Sequence, residues 1–309
     1  MKATALCHGA ATIITGFATG NGGAYGIGLE NRTTVELNDS GKTESIVNGE
    51  ADVGVVLAEA AVKRALERFK ADFTGAKVVT ESEIPVAAGL KSSSIAANVI
   101  SLAAIGAVAK DRGEIKEVKL SKTLKEQKII IGGEVVEDMD VINAGIDAAF
   151  DAKVTATGAL DDASAAYLGG YTITRNLDRE IVYHGGMEET LKVLIYLPEG
   201  RSYSGDIKPE MVNAFSKEVG LVWEQARSGR VYEAITLNGL IHSTVFGYGC
   251  EPAVKALEAG AIACGLSGTG PSVVALSRDN GKAVKDAWES LEGEIFETSI
   301  NNEKARVIG

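Results

Sequence analysis

The 309-residue chain is long enough for one large domain or two of ordinary size. With 45% hydrophobic and 24% charged residues, it has the balance of a globular protein with a sizeable core. Its net charge of -11 argues against a nucleic-acid or membrane-surface role, each of which needs a basic face, but leaves room for a local basic pocket that takes an acidic small substrate. Cys7, Cys250 and Cys264 are an odd set with no metal-type spacing and read as reduced thiols. The N-terminus lacks a signal-peptide core and no apolar stretch is read as long enough to span a membrane, so the expectation is a cytoplasmic protein.

In chain order, Thr12–Ile14 reads as a short strand and Gly16–Gly23 as a flexible loop, followed by strands over Ala24–Leu29 and Thr33–Leu37. Val53, Val56, Leu57, Ala60, Ala61, Arg64, Ala65 and Leu66 recur at helical spacing. The strand-like Lys77–Ile84 delivers the chain into Pro85-Val86-Ala87-Ala88-Gly89-Leu90-Lys91-Ser92-Ser93-Ser94, and a buried helix of small apolar residues is expected from Ser94 to Ala109. A helix over Asp138–Phe150 leads to Val154-Thr155-Ala156-Thr157-Gly158-Ala159-Leu160-Asp161-Asp162, with strand resuming at Tyr171–Arg175 and again at Leu191–Leu197. Helices are expected over Pro209–Arg227, Tyr232–Thr244, Glu251–Ala259 and Gly281–Leu291. Between the last two lie a second glycine-rich loop, Gly265–Ser272, and a strand, Val273–Leu276; Ile295–Ser299 closes the pattern as strand. Such alternation predicts an α+β protein in two halves that meet near the loops.

Three segments carry candidate chemistry. The Pro85 loop lets backbone come close to a ligand and then opens a helix, whose free N–H groups and dipole suit a phosphate; Lys91 adds a positive charge, and the serine hydroxyls can bond phosphate oxygens or magnesium. The plain alternative is a serine-capped helix. Spacing excludes a P-loop, and the single glycine excludes a dinucleotide-binding turn. Asp161 and Asp162 are either an N-cap and its neighbour or an acid pair, one member of which takes a proton from a substrate hydroxyl. Asp147, Asp151, Glu134, Glu137 and Asp138 are candidates for a second, magnesium-binding carboxylate, although a solvated surface acid is the plainer reading of each. His8, His184 and His242 show no ligand-like pairing and read as structural.

Taken together, these motifs resemble the GHMP kinase superfamily, which includes the galacto-, homoserine, mevalonate and phosphomevalonate kinases. Its Pro-x-x-x-Gly-Leu-x-Ser-Ser loop is matched from Pro85 to Ser93, its closing glycine-rich motif by Gly265–Ser272, and its Asp–Gly-Gly pattern by Asp161 or Asp162 ahead of Gly169-Gly170. Within the superfamily the chain resembles the archaeal-type shikimate kinases most, through Lys91 where relatives carry glycine, Thr157–Ala163, and His8–Ile14 followed by Ala18-Thr19-Gly20. The superfamily's usual opening Pro-Gly-Arg-Val-Asn-Leu and Gly-Glu-His patterns are not visible.

The resemblance implies a two-domain α+β fold, with an S5-domain-2-like ATP-binding half over residues 1–183 and a ferredoxin-like half over 184–309. It implies that Pro85, Val86, Ala87, Ala88, Gly89, Leu90, Lys91, Ser92, Ser93, Ser94 and Ile95 wrap the ATP phosphates, with the Ser93 hydroxyl on Mg2+ and Asp161 or Asp162 catalytic. It implies transfer of the γ-phosphoryl group of ATP to the 3-hydroxyl of shikimate, on the route to chorismate and aromatic amino acids. Arg175, Arg201, Lys153 and Lys208 are then candidates to anchor the substrate carboxylate. The competing readings are another small-molecule GHMP kinase, such as one acting on homoserine, and a non-catalytic nucleotide or metabolite sensor.

Overall fold

The computed structural model describes residues 1–85, 88–119, 125–199 and 209–309. Its first sheet grows from one long antiparallel pair, β1 (Lys2–Ile14) and β2 (Asn21–Asn38). In chain order there follow β3 (Thr43–Val47), β4 (Glu50–Ala51), α1 (Val55–Arg68), β5 (Gly75–Ser82), α2 (Ser92–Arg112), β6 (Gly113–Lys119), β7 (Lys125–Ile131) and β8 (Glu134–Val135). Next come α3 (Asp138–Asp151), α4 (Leu160–Leu168), β9 (Tyr171–Arg175), β10 (Glu180–Gly185) and β11 (Lys192–Pro198). The remainder is α5 (Pro209–Asn213), α6 (Ser216–Arg227), α7 (Val231–Phe246), α8 (Glu251–Glu258), β12 (Ala263–Leu266), β13 (Val273–Ser277), α9 (Lys282–Trp288), β14 (Gly293–Ser299) and β15 (Arg306–Val307).

The large sheet runs β10-β9-β2-β5-β3-β4, with β1 on β2 and β15 on β1. One edge of β2 is shared: Asn21–Tyr25 pair with β9 and Asn31–Asn38 with β5. A four-stranded sheet, β12-β13-β11-β14, comes from the C-terminal part, and β6, β7 and β8 form a small third sheet. β1 touches α2 and α4 and also α6 and α7, so both its faces are covered. That double cover explains its sequence, which is alanine- and threonine-rich and lacks the in–out alternation of a half-buried strand. The expected short strand Thr12–Ile14 is therefore only the end of a 13-residue one. The two strands expected between Ala24 and Leu37 are a single strand of 18 residues.

α2 is apolar on every side because it lies in the centre of the fold against β1, α1 and α3. Its length and composition would suffice to cross a membrane, contrary to the sequence expectation, yet most of it is buried inside the protein. Gly145 of α3 lets that helix close on α2; a Cβ there would lie 2.6 Å from Asn98 Oδ1. Asn98 Nδ2 then donates to the Ala163 carbonyl of α4 at 2.7 Å, tying α2 to α4 from within the core.

The helix expected over Pro209–Arg227 is two helices. The chain turns at Ala214-Phe215, where the Phe215 amide donates to the Val212 carbonyl, and no glycine or proline marks the break. β12, read as part of a loop, is a strand because α7 presses onto it: a Cβ on Gly239 would lie 2.2 Å from the Gly265 Cα. β6, β7 and β10 were not among the expected strands: β6 and β7 are rich in charge, whereas β10 does carry the strand-forming run Ile181-Val182-Tyr183.

Candidate active site

A cleft of about 400 Å³ opens where five pieces of chain converge. They are the turn after β1, the start of α2, the 153–159 loop with the start of α4, Asn176 beyond β9, and Gly268-Thr269 between β12 and β13.

Gly89 adopts φ +75°, and a Cβ on it would lie 2.2 Å from the Ser267 carbonyl, so the two glycine-rich loops touch where no side chain fits. The Ser267 hydroxyl donates to the Gly89 carbonyl at 2.9 Å, and the Gly268 amide donates to Thr12 Oγ1 at 2.7 Å. Strand β1, the first loop and the second loop are thereby locked together. α2 starts at Lys91, which is left-handed at φ 67° and makes no side-chain cap. The serine-cap reading is thus not what forms: Ser92, Ser93 and Ser94 lie inside the first turn. The helix start, its amides uncapped by any side chain, faces the cleft and has the electrostatics of an anion site.

Of the expected binding stretch, Gly89, Lys91, Ser92, Ser93 and Ser94 line the cleft. The side chains of Ala88, Leu90 and Ile95 are buried in the core, where they hold the loop from behind, and Pro85 sits half-buried at its entry. Val86 and Ala87 lie outside the described residues.

The acid pair occupies a matching helix start. α4 begins after Ala159, again left-handed (φ 46°) and without a side-chain cap, so neither aspartate is the N-cap. Asp161 is buried; Asn176 Nδ2 donates to its Oδ1 at 2.9 Å, and its own amide donates to Asn176 Oδ1 at 3.1 Å. Asp162 forms an ion pair with Lys91, Oδ1 to Nζ 3.0 Å, across the cleft. Burial, reinforced by the neighbouring Asp162 charge, pushes the Asp161 carboxyl up to about 7, with Lys91 and the hydrogen bonds pulling the other way. Burial also raises Asp162, opposed by Lys91.

The other expected acids lie elsewhere. Asp147 pairs with Arg179, Asp151 with Arg64 and Asp138 with Lys304; Glu137 caps α3 and Glu134 is exposed. None of the five lines the cleft. His8 is buried, His184 Nε2 lies 2.9 Å from the Gly169 carbonyl, and His242, pushed down to about 4 by burial, bonds the Asn238 carbonyl through Nδ1. All three cysteines are free. Among the candidate anchors, Arg175 is paired with Glu180 and lies over the Trp223 ring, whereas Lys153 lines the cleft. Arg201 and Lys208 lie outside the described residues.

Among the described residues no three His, Cys, Asp or Glu side chains gather into a metal cage. The Ser92, Ser93 and Ser94 hydroxyls on the cleft wall are hard oxygens that suit a magnesium ion held largely by phosphates. Sequence reasoning missed Asn176, Thr12 and Thr15, whose partners come from distant segments. Asn238 of α7, for example, accepts the Thr15 amide at 3.0 Å.

The model for the GHMP kinases N terminal domain matches residues 57–170, and that for the GHMP kinases C terminal matches residues 251–293. A shikimate kinase of Methanothermobacter thermautotrophicus is 39% identical over 309 residues, covering 100% of this chain and 99% of its own. One of Methanobrevibacter smithii is 37% identical over 315 residues, covering 100% of both. Among solved structures, a homoserine kinase from Cytophaga hutchinsonii superposes with a TM-score of 0.71 at 16% identity, over 99% of this chain and 97% of that one; at that identity the likeness concerns the fold alone.

Proposed function

The chain belongs to the GHMP kinase family, on its archaeal shikimate kinase branch, and on that premise we propose that it transfers the γ-phosphoryl group of ATP to the 3-hydroxyl of shikimate. The observation that carries this reading is full-length similarity to shikimate kinases, joined to a cleft lined by both the uncapped start of α2 and the Asp161-Asp162 pair. The start of α2 binds the nucleotide phosphates through its amides, the serine hydroxyls and Lys91. Ser93 supplies a hydroxyl to Mg2+, which when bound neutralises phosphate charge.

Asp161 accepts the proton of the attacking hydroxyl. Its buried carboxylate has the higher proton affinity that a base working near neutral pH needs, while Asp162 is occupied in holding Lys91. Lys153 is the cleft-lining cation without a carboxylate partner among the described residues, and it takes the substrate carboxylate. We keep the division into residues 1–183 and 184–309, with the boundary falling inside β10, the edge strand of the first sheet. The two family models fall on either side of it and the four-stranded sheet lies wholly beyond it, while β15 returns to complete the first sheet. The work is cytoplasmic and on small molecules.

The test is a coupled ADP-release assay offering shikimate, homoserine and mevalonate separately. Turnover with shikimate alone is expected; turnover with homoserine and none with shikimate would overturn the reading.

A further inference from the structure

Asn176 lies just beyond β9, in no motif, yet it is buried at 3% exposure against the acid pair. Three hydrogen bonds determine which way its amide points. Thr174 Oγ1 donates to Asn176 Oδ1 at 2.7 Å, and the Asp161 amide donates to the same oxygen at 3.1 Å. The Asp161 amide can only donate, which identifies its partner atom as the oxygen, so the nitrogen faces Asp161 and donates to its Oδ1 at 2.9 Å. The backbone is held as well, since the Asn176 amide donates to the Gly20 carbonyl at 2.8 Å.

The same side chain therefore does two things to α4. It accepts an orphan first-turn amide, which no residue of the helix itself caps, and it ties down one carboxylate oxygen. The other oxygen, Oδ2, is left against Gly22 of β2, where a Cβ would lie 2.3 Å away; only a glycine leaves room for the carboxylate. The charges that face Asp161 are Asp162 on its own helix and Lys91 from α2, while Gly22 and Asn176, the neighbours from the sheet side, carry none.

We propose that Asn176 is the positioning residue of the proton acceptor: it fixes the Asp161 carboxylate so that Oδ1 is engaged and Oδ2 is the oxygen that receives the substrate proton. The inference rests on the assignment of Asp161 as that acceptor. An aspartate caught by an amide donor in this way keeps one rotamer, and its free oxygen stays in one place on a residue that lines the cleft. Misplacement of about 1 Å is worth roughly 10²-fold in rate.

The discriminating variant is Asn176→Asp, which retains the oxygen that caps α4 and accepts from Thr174 but replaces the N–H donor with a second oxygen. We expect kcat to fall about 10²-fold with the KM for ATP little changed. The acid limb of kcat/KM should move up by about one pH unit, because a stabilising donor is lost and a like charge is gained. Retention of kcat and of the acid limb within twofold of wild type would overturn the inference. So would a loss of kcat that tracks a lowered melting temperature without any movement of the limb. If Asn176→Asp does not fold, Thr174→Val serves: it removes one of the two donors to Asn176 Oδ1 and leaves the Asp161 amide on it, and a several-fold fall in kcat with an upward limb is expected, an unmoved limb being the contrary result. A wild-type enzyme inactive on shikimate would instead defeat the proposed function, so the two failures are separable.

Discussion

Two helices start on opposite sides of the cleft with the same backbone device and opposite chemistry. α2 and α4 each follow a left-handed non-glycine residue, Lys91 at φ 67° and Ala159 at φ 46°, and neither has a side-chain cap. The first turn of α2 carries Ser92, Ser93 and Ser94, so the positive end of its dipole is left for an anion. The first turn of α4 carries Asp161 and Asp162, which that dipole should favour as carboxylates, yet burial raises both. The dipole is worth about 0.3–1 kcal/mol at an exposed site, whereas desolvation of a fully buried acid can move its pKa by up to about 3–5 units. The contrast teaches that a helix start sets a preference and burial decides the outcome. Lys91 joins the two, being the cap residue of one helix and the ion-pair partner of the other.

The comparison breaks most severely at Asp161. Asp161→Asn should lower kcat by about 10²–10⁴ while nucleotide still binds at α2, as a fluorescent ATP analogue would report. The same variant should change stability with a definite sign. The folded state keeps a proton on Asp161 up to about pH 7 that the unfolded chain loses near 3.8. Stability therefore falls as pH rises through that window, and the Asn variant, free of that fall, should melt above wild type at pH 8. A variant that melts below wild type at pH 8 would contradict the buried-charge account.

On the α2 side, Gly89→Ala forces a left-handed alanine and a Cβ against the Ser267 carbonyl. It should weaken ATP binding at least tenfold and lower stability by about 2 kcal/mol, measured by calorimetry and chemical denaturation. Lys91→Gly separates the two helix starts. Glycine relieves about 1 kcal/mol of left-handed strain, but removing one partner of this largely buried ion pair costs about 3–5 kcal/mol, so the melting temperature should fall below wild type and kcat should drop about tenfold. Because Lys91 holds both aspartates down, the acid limb of the rate profile should also rise. The smallest effect is expected from Lys153→Ala, away from the helix starts: a KM for shikimate raised about tenfold with the KM for ATP unchanged, in initial-rate titrations.

What was legible in the sequence was local. The Pro85 loop, the acid pair and the second glycine loop are short spacings, and all three reach the cleft. α2 was legible because an uninterrupted run of small apolar residues has to be buried, although its start lies two residues before the expected Ser94. β1 was mostly missed because both its faces are covered, which removes the period-2 signal that marks a half-buried strand. The five candidate metal acids were indistinguishable from surface ion-pair partners until Arg64, Arg179 and Lys304 were seen to engage three of them.

The sequence by itself determined the family, the order of the motifs and the pair of residues that could take the proton, because these depend on residue type at fixed short spacing. Only the tertiary structure decided that Asn176 holds Asp161 while Asp162 is spent on Lys91. It alone seated Ser267 on Gly89, 178 residues away, and brought Asn176 to Asp161. The physical reason is that burial and hydrogen-bond partnership are properties of packed segments: two adjacent aspartates are chemically alike in the chain and become different only when different neighbours close around them.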